Sequence, residues 1–184
     1  PRCLTTSMLD SYSGVVYDLD GTVVDLDVDW AAVAAAVEGV YADAGIDVDG
    51  QGLWAMLNEA DDHGIRGRVE TTIAEHERAG ARSSTALPAS EELAAVEPVA
   101  VCSLNCEAAC RIALETHDLS DHVRAVIGRD SVSTHKPDPE PLLSAVDRID
   151  VSPSDAVFIG DSERDAVTAR RAGVAYVDVA ERRE

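Results

Sequence analysis

Lysine is nearly absent from this sequence: Lys136 is the single one among fifteen basic side chains, and the other fourteen are arginines. Aromatic residues are scarce as well, at 4% of the chain with one phenylalanine. No run approaches the roughly 18 consecutive apolar residues that a membrane span requires. Nor does a leading segment show basic, apolar and small-residue parts in succession, so a cytoplasmic protein is expected. Thirty-five acidic side chains leave a formal net charge of -20. Such a surface repels nucleic-acid phosphates and anionic membranes, and argues against both as partners.

Cysteine is too sparse for a disulfide framework. The four present are Cys3, Cys102, Cys106 and Cys110, in a chain for which no secretory signal is expected. The spacing of the last three could put two on one helix face, but no CxxC pair or neighbouring histidine completes a tetrahedral zinc set. They are expected to pack as small apolar side chains. His63, His76, His117, His122 and His135 show no ligand spacing among themselves.

Many acids, few aromatics and almost no lysine together suggest a halophile, a proteome adapted to molar salt. There the Debye length falls to about 3 Å and self-repulsion of an acidic surface becomes tolerable. The alternative is an acidic protein that docks on a basic partner, but the acids are spread along the chain instead of gathered in a tail. The 184 residues, 46% of them hydrophobic, suit one substantial core with room for a small inserted subdomain. Residues 1–12 have no periodic pattern and are expected to form a disordered tail, with Met8 inside it as a candidate start.

Apolar runs and helical periodicity alternate along the rest. Val15 to Tyr17 reads as a buried strand that stops at Asp18-Leu19-Asp20-Gly21-Thr22, where two carboxylates at i and i+2 leave to the same side and Gly21 permits a sharp turn. An acidic strand end followed by an ordinary turn is the competing interpretation. Residues 24–86 read as a helical insert. Trp30, Val33, Ala34 and Val37 share one helix face, with Asp29 as N-cap and Gly45 as stop. An apolar patch spans Leu53 to Ala60, and a third helix runs from about Arg68 to Ala79 with Val69, Ile73 and His76 on one side. Pro88 ends the insert. Trp30 and Trp54 are expected in its core.

Beyond Pro98 the predicted elements are a strand at Val99 to Ser103, a helix from Cys106 to His117, and a strand from Val123 to Ile127. A helix from Glu140 to Ile149, a strand from Ala156 to Gly160, a helix from Ser162 to Ala172 closed by Gly173, and a strand from Val174 to Val177 follow. Strand and helix alternation predicts an α/β fold, an open parallel five-stranded Rossmann-like sheet with helices on both faces, plus a small α-helical cap inserted after the first strand. The expected divisions are a tail at 1–12, a core at 13–23 and 87–184, and the cap at 24–86. Asp18, Ser103 and Asp161 each fall just past the carboxyl end of a different strand, the edge where open parallel sheets bind ligands.

On these residues the chain resembles the haloacid dehalogenase-like (HAD) superfamily, in its phosphoglycolate phosphatase-like branch. Asp18-Leu19-Asp20-Gly21-Thr22 resembles the first family motif, Ser103 the second, and Lys136 in Lys136-Pro137-Asp138-Pro139 the third. Gly160-Asp161-Ser162-Glu163-Arg164-Asp165 resembles the fourth. Each is weak alone, whereas their order and spacing together are specific.

The resemblance implies a magnesium-dependent phosphatase that hydrolyses a small phosphomonoester through an aspartyl-phosphate. Asp18 is suited to attack phosphorus, and Asp20 to protonate the leaving oxygen and then deprotonate water. Asp18, Asp161 and the main-chain carbonyl of Asp20 would hold Mg2+, with Asp165 in support. Ser103, Lys136 and Thr22 would bind the substrate phosphate, with Thr22 buttressing the Asp18–Asp20 loop. Arg66 and Arg68 in the insert are candidates for contacting a substrate carboxylate or phosphate, and Asn105 for capping the following helix. The implied partner is a small phosphorylated metabolite, with the protein a monomer or homodimer. A phosphomutase of the same superfamily and a non-catalytic phosphate-binding regulatory protein are the alternatives.

Overall fold

The computed structural model describes residues 6–48 and 50–182. Its frame is a parallel sheet built from β1 (Gly14–Tyr17), β4 (Val99–Cys102), β5 (Ala125–Ile127), β6 (Ala156–Gly160) and β7 (Ala175–Asp178). Their order in space is β5-β4-β1-β6-β7. The central strand is β1, which pairs Val15 to Tyr17 with Val99 to Val101 on one side and with Val157 to Ile159 on the other. All residues of β1, β4, β5 and β6 are buried, as expected of parallel strands covered on both faces.

Alternation along the strands divides the core into two layers. Val15, Tyr17, Val101 and Ile159 face α6 (Glu107–Thr116) through Ala109, Cys110, Ala113 and Leu114. Val16, Ala100, Cys102 and Phe158 face α7 (Glu140–Asp147) and α8 (Glu163–Ala172) through Leu142, Ala145, Val146 and Ala169. The cysteines pack as small apolar side chains on opposite faces of the sheet: Cys102 in the second layer, Cys106 and Cys110 in the first. Cys3 lies outside the described residues.

The stretch after β1 holds three helices, α2 (Trp30–Asp43), α3 (Leu53–Glu59) and α4 (Arg66–Arg82). Val33, Val37, Tyr41, Met56, Leu57, Val69 and Ile73 form an apolar cluster of their own. Asp29 caps α2 by accepting from the Ala31 and Ala32 amides. A two-stranded antiparallel ribbon, β2 (Val24–Asp25) with β3 (Thr85–Ala86), closes the segment at its base. Two residues per strand carry no periodicity, so nothing in the sequence announced it.

Several expectations need correction. Within the predicted tail, Thr6–Leu9 forms α1 and Leu9 is buried in the core, because a single apolar residue suffices to dock a short helical turn. Residues 1–5 lie outside the described residues. Between Pro88 and Pro98, where no element was expected, Pro88 caps a short helix, α5 (Ala89–Leu93). The buried face of α4 runs through Val69, Ile73, Glu77 and Gly80, so the carboxylate of Glu77, and not His76, continues the apolar stripe.

Candidate active site

The ladder sets the position of Asp18. Its amide donates to Ile159 O at 2.8 Å, continuing β1 by one residue beyond the strand, and then the chain turns. Leu19 N swings onto Asp18 Oδ1 at 2.8 Å, while the amides of Thr22, Val23 and Val24 all donate to Leu19 O. Gly21 permits that turn with a φ of +78°, and a Cβ there would lie 2.2 Å from Asp161 Oδ2. The first and fourth motifs therefore meet at a point where only a hydrogen fits.

Lys136 is 3% exposed. Its Nζ lies 3.0 Å from Asp18 Oδ1 and 2.5 Å from Asp165 Oδ1, with the Phe158 ring centroid 5.4 Å away. The other oxygen of Asp165 accepts from Ser162 Oγ. Burial alone would strip a lysine of its proton, but the two carboxylates outweigh it and hold the Lys136 pKa above the ordinary value. Burial pushes Asp18 up to about 7 despite Lys136. It pushes Asp20 up to about 6, against a hydrogen bond from Leu26 N to Asp20 Oδ1 at 2.9 Å. Asp161 is raised as well, by burial and then by Asp165.

Four of the predicted site residues, Asp18, Asp20, Ser103 and Asp161, line one pocket of about 280 Å³, together with Asn105, Leu104, Ser162, Trp30, Trp54 and Arg164. Lys136 and Asp165 are buried next to it, joined to its lining through the Lys136 contact with Asp18. Oxygen atoms of Asp18, Asp161 and Asp165 lie within 4.8 Å of one another. An all-carboxylate set of this kind suits a hard divalent cation. Asp18 and Asp161 are the better donors, since both Asp165 oxygens already accept hydrogen bonds. The Asp20 side chain is outside this cluster and is turned to Leu26 N.

Thr22 does not buttress the loop as expected. Its side chain is fully buried, and its hydroxyl has no hydrogen-bond partner among the described residues. Arg66 pairs with Asp61 and Glu70 and lines a separate, larger cavity of about 540 Å³ beside α4. Arg68 pairs with Asp43 on an exposed surface. Neither lines the pocket of Asp18, because both sit on the first turn of α4 and already have carboxylate partners.

The wall of the pocket comes from residues that sequence reasoning assigned to packing or passed over. Trp30 and Trp54 pair at 6.2 Å between centroids, and the Arg164 guanidinium lies 5.8 Å from the Trp54 ring. Both indoles also pack against the apolar cluster of the insert, so the expectation of a core role holds for one side of each ring. Arg164 falls inside the fourth motif, and its exposed position at the start of α8 was the available signal. Ser103 Oγ donates to Asn105 Oδ1 at 2.9 Å and accepts from the Asn105 amide at 3.2 Å. Asn105 is therefore tied to Ser103, whereas the N-cap of α6 is Cys106.

Comparison with known proteins agrees with this geometry. The haloacid dehalogenase-like hydrolase family matches residues 90–179. Phosphoglycolate phosphatase of Rhodospirillum rubrum is 39% identical over 77 residues, covering 42% of this chain. That match spans only 32% of the relative's own length, and the one to the Escherichia coli phosphoglycolate phosphatase spans 24%. Fructose-1-phosphate phosphatase YqaB of Escherichia coli is 29% identical over 94% of this chain and 98% of its own. Among solved structures, a HAD-superfamily hydrolase of subfamily IA from Geobacter sulfurreducens superposes with a TM-score of 0.62 at 23% identity, covering 91% of this chain and 89% of its own. A hydrolase from Pseudomonas syringae gives 0.66 at 22%, covering 90% and 83%. At such identities these two speak to the fold alone. The family match at 90–179 takes in Ser103, Lys136 and Asp161, so the chain is similar to haloacid dehalogenase-like hydrolases over the segments that carry the second, third and fourth motifs, and the relatives named above are phosphatases.

Proposed function

We propose that the protein is a magnesium-dependent phosphatase that hydrolyses a small phosphomonoester through an aspartyl-phosphate. The observation that carries this reading is the position of Asp18, at the end of the central strand, facing the pocket and backed by Lys136 at 3.0 Å. Asp18 Oδ1 is held by Leu19 N and Lys136, whereas Oδ2 has no hydrogen bond among the described residues. Oδ2 is thus the oxygen left to attack phosphorus, forming the Asp18–phosphorus bond as the bond to the leaving alcohol breaks. Asp20, held by Leu26 N and raised to about 6 by burial, carries a proton to the departing oxygen more readily than an ordinary carboxyl would. In the second step Asp20 takes a proton from water, the water oxygen joins phosphorus, and Asp18 is released with inorganic phosphate.

An ammonium has three donors, and Lys136 uses two on Asp18 and Asp165. The third, with the Ser103 hydroxyl, serves the transferring phosphoryl oxygens. Mg2+ held by Asp18 and Asp161 would offset the charge that nucleophile and phosphate bring together. The helical insert at 24–86 acts as the cap, contributing Trp30 and Trp54 to the wall against which the alcohol part of the substrate rests.

The relatives act on phosphoglycolate and fructose 1-phosphate by name, so a small phosphorylated metabolite is the substrate class. The acidic, lysine-poor composition supports a cytoplasmic enzyme of a halophile that binds neither nucleic acid nor membranes. Among the described residues no helix is long and apolar enough to cross a membrane. The test is hydrolysis of a chromogenic aryl phosphate with and without Mg2+. Metal-dependent release of free phosphate, abolished in Asp18→Asn, is expected. Turnover that survives Asp18→Asn would overturn the nucleophile, and return of the phosphoryl group to a second hydroxyl without net phosphate release would point to a mutase.

A further inference from the structure

Glu77 is the most unusual buried charge outside the reacting cluster. It sits on α4, in the cap, and its side chain is fully enclosed. Four donors from the core converge on its two oxygens. Oε1 accepts from Arg129 Nη1 at 2.7 Å and from Asn105 Nδ2 at 3.4 Å. Oε2 accepts from Cys106 N at 2.9 Å and from Arg129 Nη2 at 3.2 Å. Arg129 is itself 4% exposed, donates from Nη1 to Leu104 O at 2.6 Å, and pairs through Nε with Glu70 of the same cap helix at 3.0 Å. The carboxylates raise the Arg129 pKa against the effect of burial, so its guanidinium stays charged.

The polar groups so engaged belong to three consecutive residues: Leu104 through its carbonyl, Asn105 through its side-chain amide, Cys106 through its main-chain amide. They are the three residues that follow Ser103. Because a carboxylate can only accept, Glu77 forces the Asn105 amide to present its nitrogen outward and its oxygen to Ser103. That oxygen and the Asn105 main-chain N–H are the two groups on Ser103 Oγ.

We propose that Glu77 is a positioning residue for Ser103: with Arg129 it clamps the 104–106 turn from the cap side, so the hydroxyl that meets the phosphoryl group is in place only while α4 is seated on the core. This rests on the phosphatase reading given above. A buried ion pair adds little net stability over an apolar replacement of the same size, and a mere packing role does not account for all three residues being held. When phosphate binds, the Ser103 proton turns from Asn105 Oδ1 to a phosphoryl oxygen while Oγ stays where the Asn105 N–H holds it. The cap thereby does more than cover the pocket, since one of its side chains orders the phosphate end of the site.

The test is Glu77→Gln, assayed with the chromogenic aryl phosphate and Mg2+, in the parent and in the Ser103→Ala background. An amide offers one acceptor oxygen to four donors, so the clamp is lost at nearly constant volume. Turnover is expected to fall about 10–100-fold, in line with losses of outer supporting groups, with KM within about twofold. The same substitution in the Ser103→Ala background should cost little further. Parent-level turnover in folded Glu77→Gln, or an equal loss in both backgrounds, would overturn the proposal. Should Glu77→Gln fail to fold with Arg129 left unmatched, the pair Glu77→Gln with Arg129→Met removes both charges, and the same two outcomes apply to it. A parent protein with no phosphatase activity would instead refute the underlying reading, which Asp18→Asn tests separately.

Discussion

Lys136 shows how much one side chain can decide. It is the sole lysine of the chain, and it lies enclosed between two carboxylates and an aromatic ring. A guanidinium is planar and wider than an ammonium, so arginine cannot take this place without displacing Asp18 or Asp165. We expect Lys136→Arg and Lys136→Ala both to lower kcat/KM for an aryl phosphate by about two orders of magnitude, as losses of preorganised donors do. Lys136→Ala should also cost roughly 3–5 kcal/mol of stability by leaving buried carboxylates without a partner, measurable by urea unfolding. Parent-like kinetics in either variant would remove Lys136 from the site. At the pocket wall, Arg164→Ala should lower kcat/KM for the preferred substrate, with the loss mainly in KM, because Arg164 is the one cation among the lining residues. Arg68→Ala should leave both constants near the parent values, since its exposed pairing with Asp43 is remote from the pocket.

At the level of elements, the loop after β1 is where the geometry is tightest. Gly21→Ala would impose a side chain on a φ of +78° and drive a methyl onto Asp161. The expected result is about 1 kcal/mol or more of lost stability, together with a higher Mg2+ concentration for half-maximal activity as Asp161 is moved. Unchanged metal dependence in that variant would count against Asp161 as a ligand. Helix ends elsewhere follow simple rules. Asp29 caps α2 with two accepted hydrogen bonds, and Gly173 ends α8 with a φ of +70°. Asp29→Ala should cost about 1 kcal/mol, a fall of about 2–4 °C in Tm for a chain of this size, readable by circular dichroism. Both caps were legible because the residue types that terminate helices are few. The β2–β3 ribbon was not, because two residues per strand show no alternation and their pairing is set by the ends of the insert meeting.

For the molecule as a whole, charge and burial set how it responds to solvent. A net charge of -20 makes the compact state repel itself, so the unfolding midpoint should rise steeply as salt is raised toward molar concentration. Full stability at low ionic strength would refute the salt adaptation. Burial pushes the thiol of Cys102 up to about 12 and that of Cys106 to about 11, and raises Cys110 as well. The unfolded chain ionises its thiols near 9. Their contribution is therefore complete below pH 9 and lost as pH rises toward 11 to 12. Native protein at pH 8 should resist iodoacetamide at these three positions and react once denatured, which mass spectrometry would register. Rapid native labelling would contradict the packing described for them.

The sequence by itself was enough to determine the five sheet strands, the helices α6, α7 and α8 and the four motifs, since periodicity, caps and abrupt polar endings are local. It also pointed to one shared edge for Asp18, Ser103 and Asp161, because each follows an apolar strand and parallel strands exit on the same side, while Lys136 stood out as the sole lysine. Only the tertiary structure decided what these residues touch. It separated Arg66 and Arg68 from the pocket, brought Trp30, Trp54 and Arg164 into it, and gave Asp165 to Lys136 and Ser162. The Glu77–Arg129 pair spans 52 positions and its members bear no motif. A long-range contact of that kind is set by how α4 packs beside the turn after β4, and no local pattern encodes it.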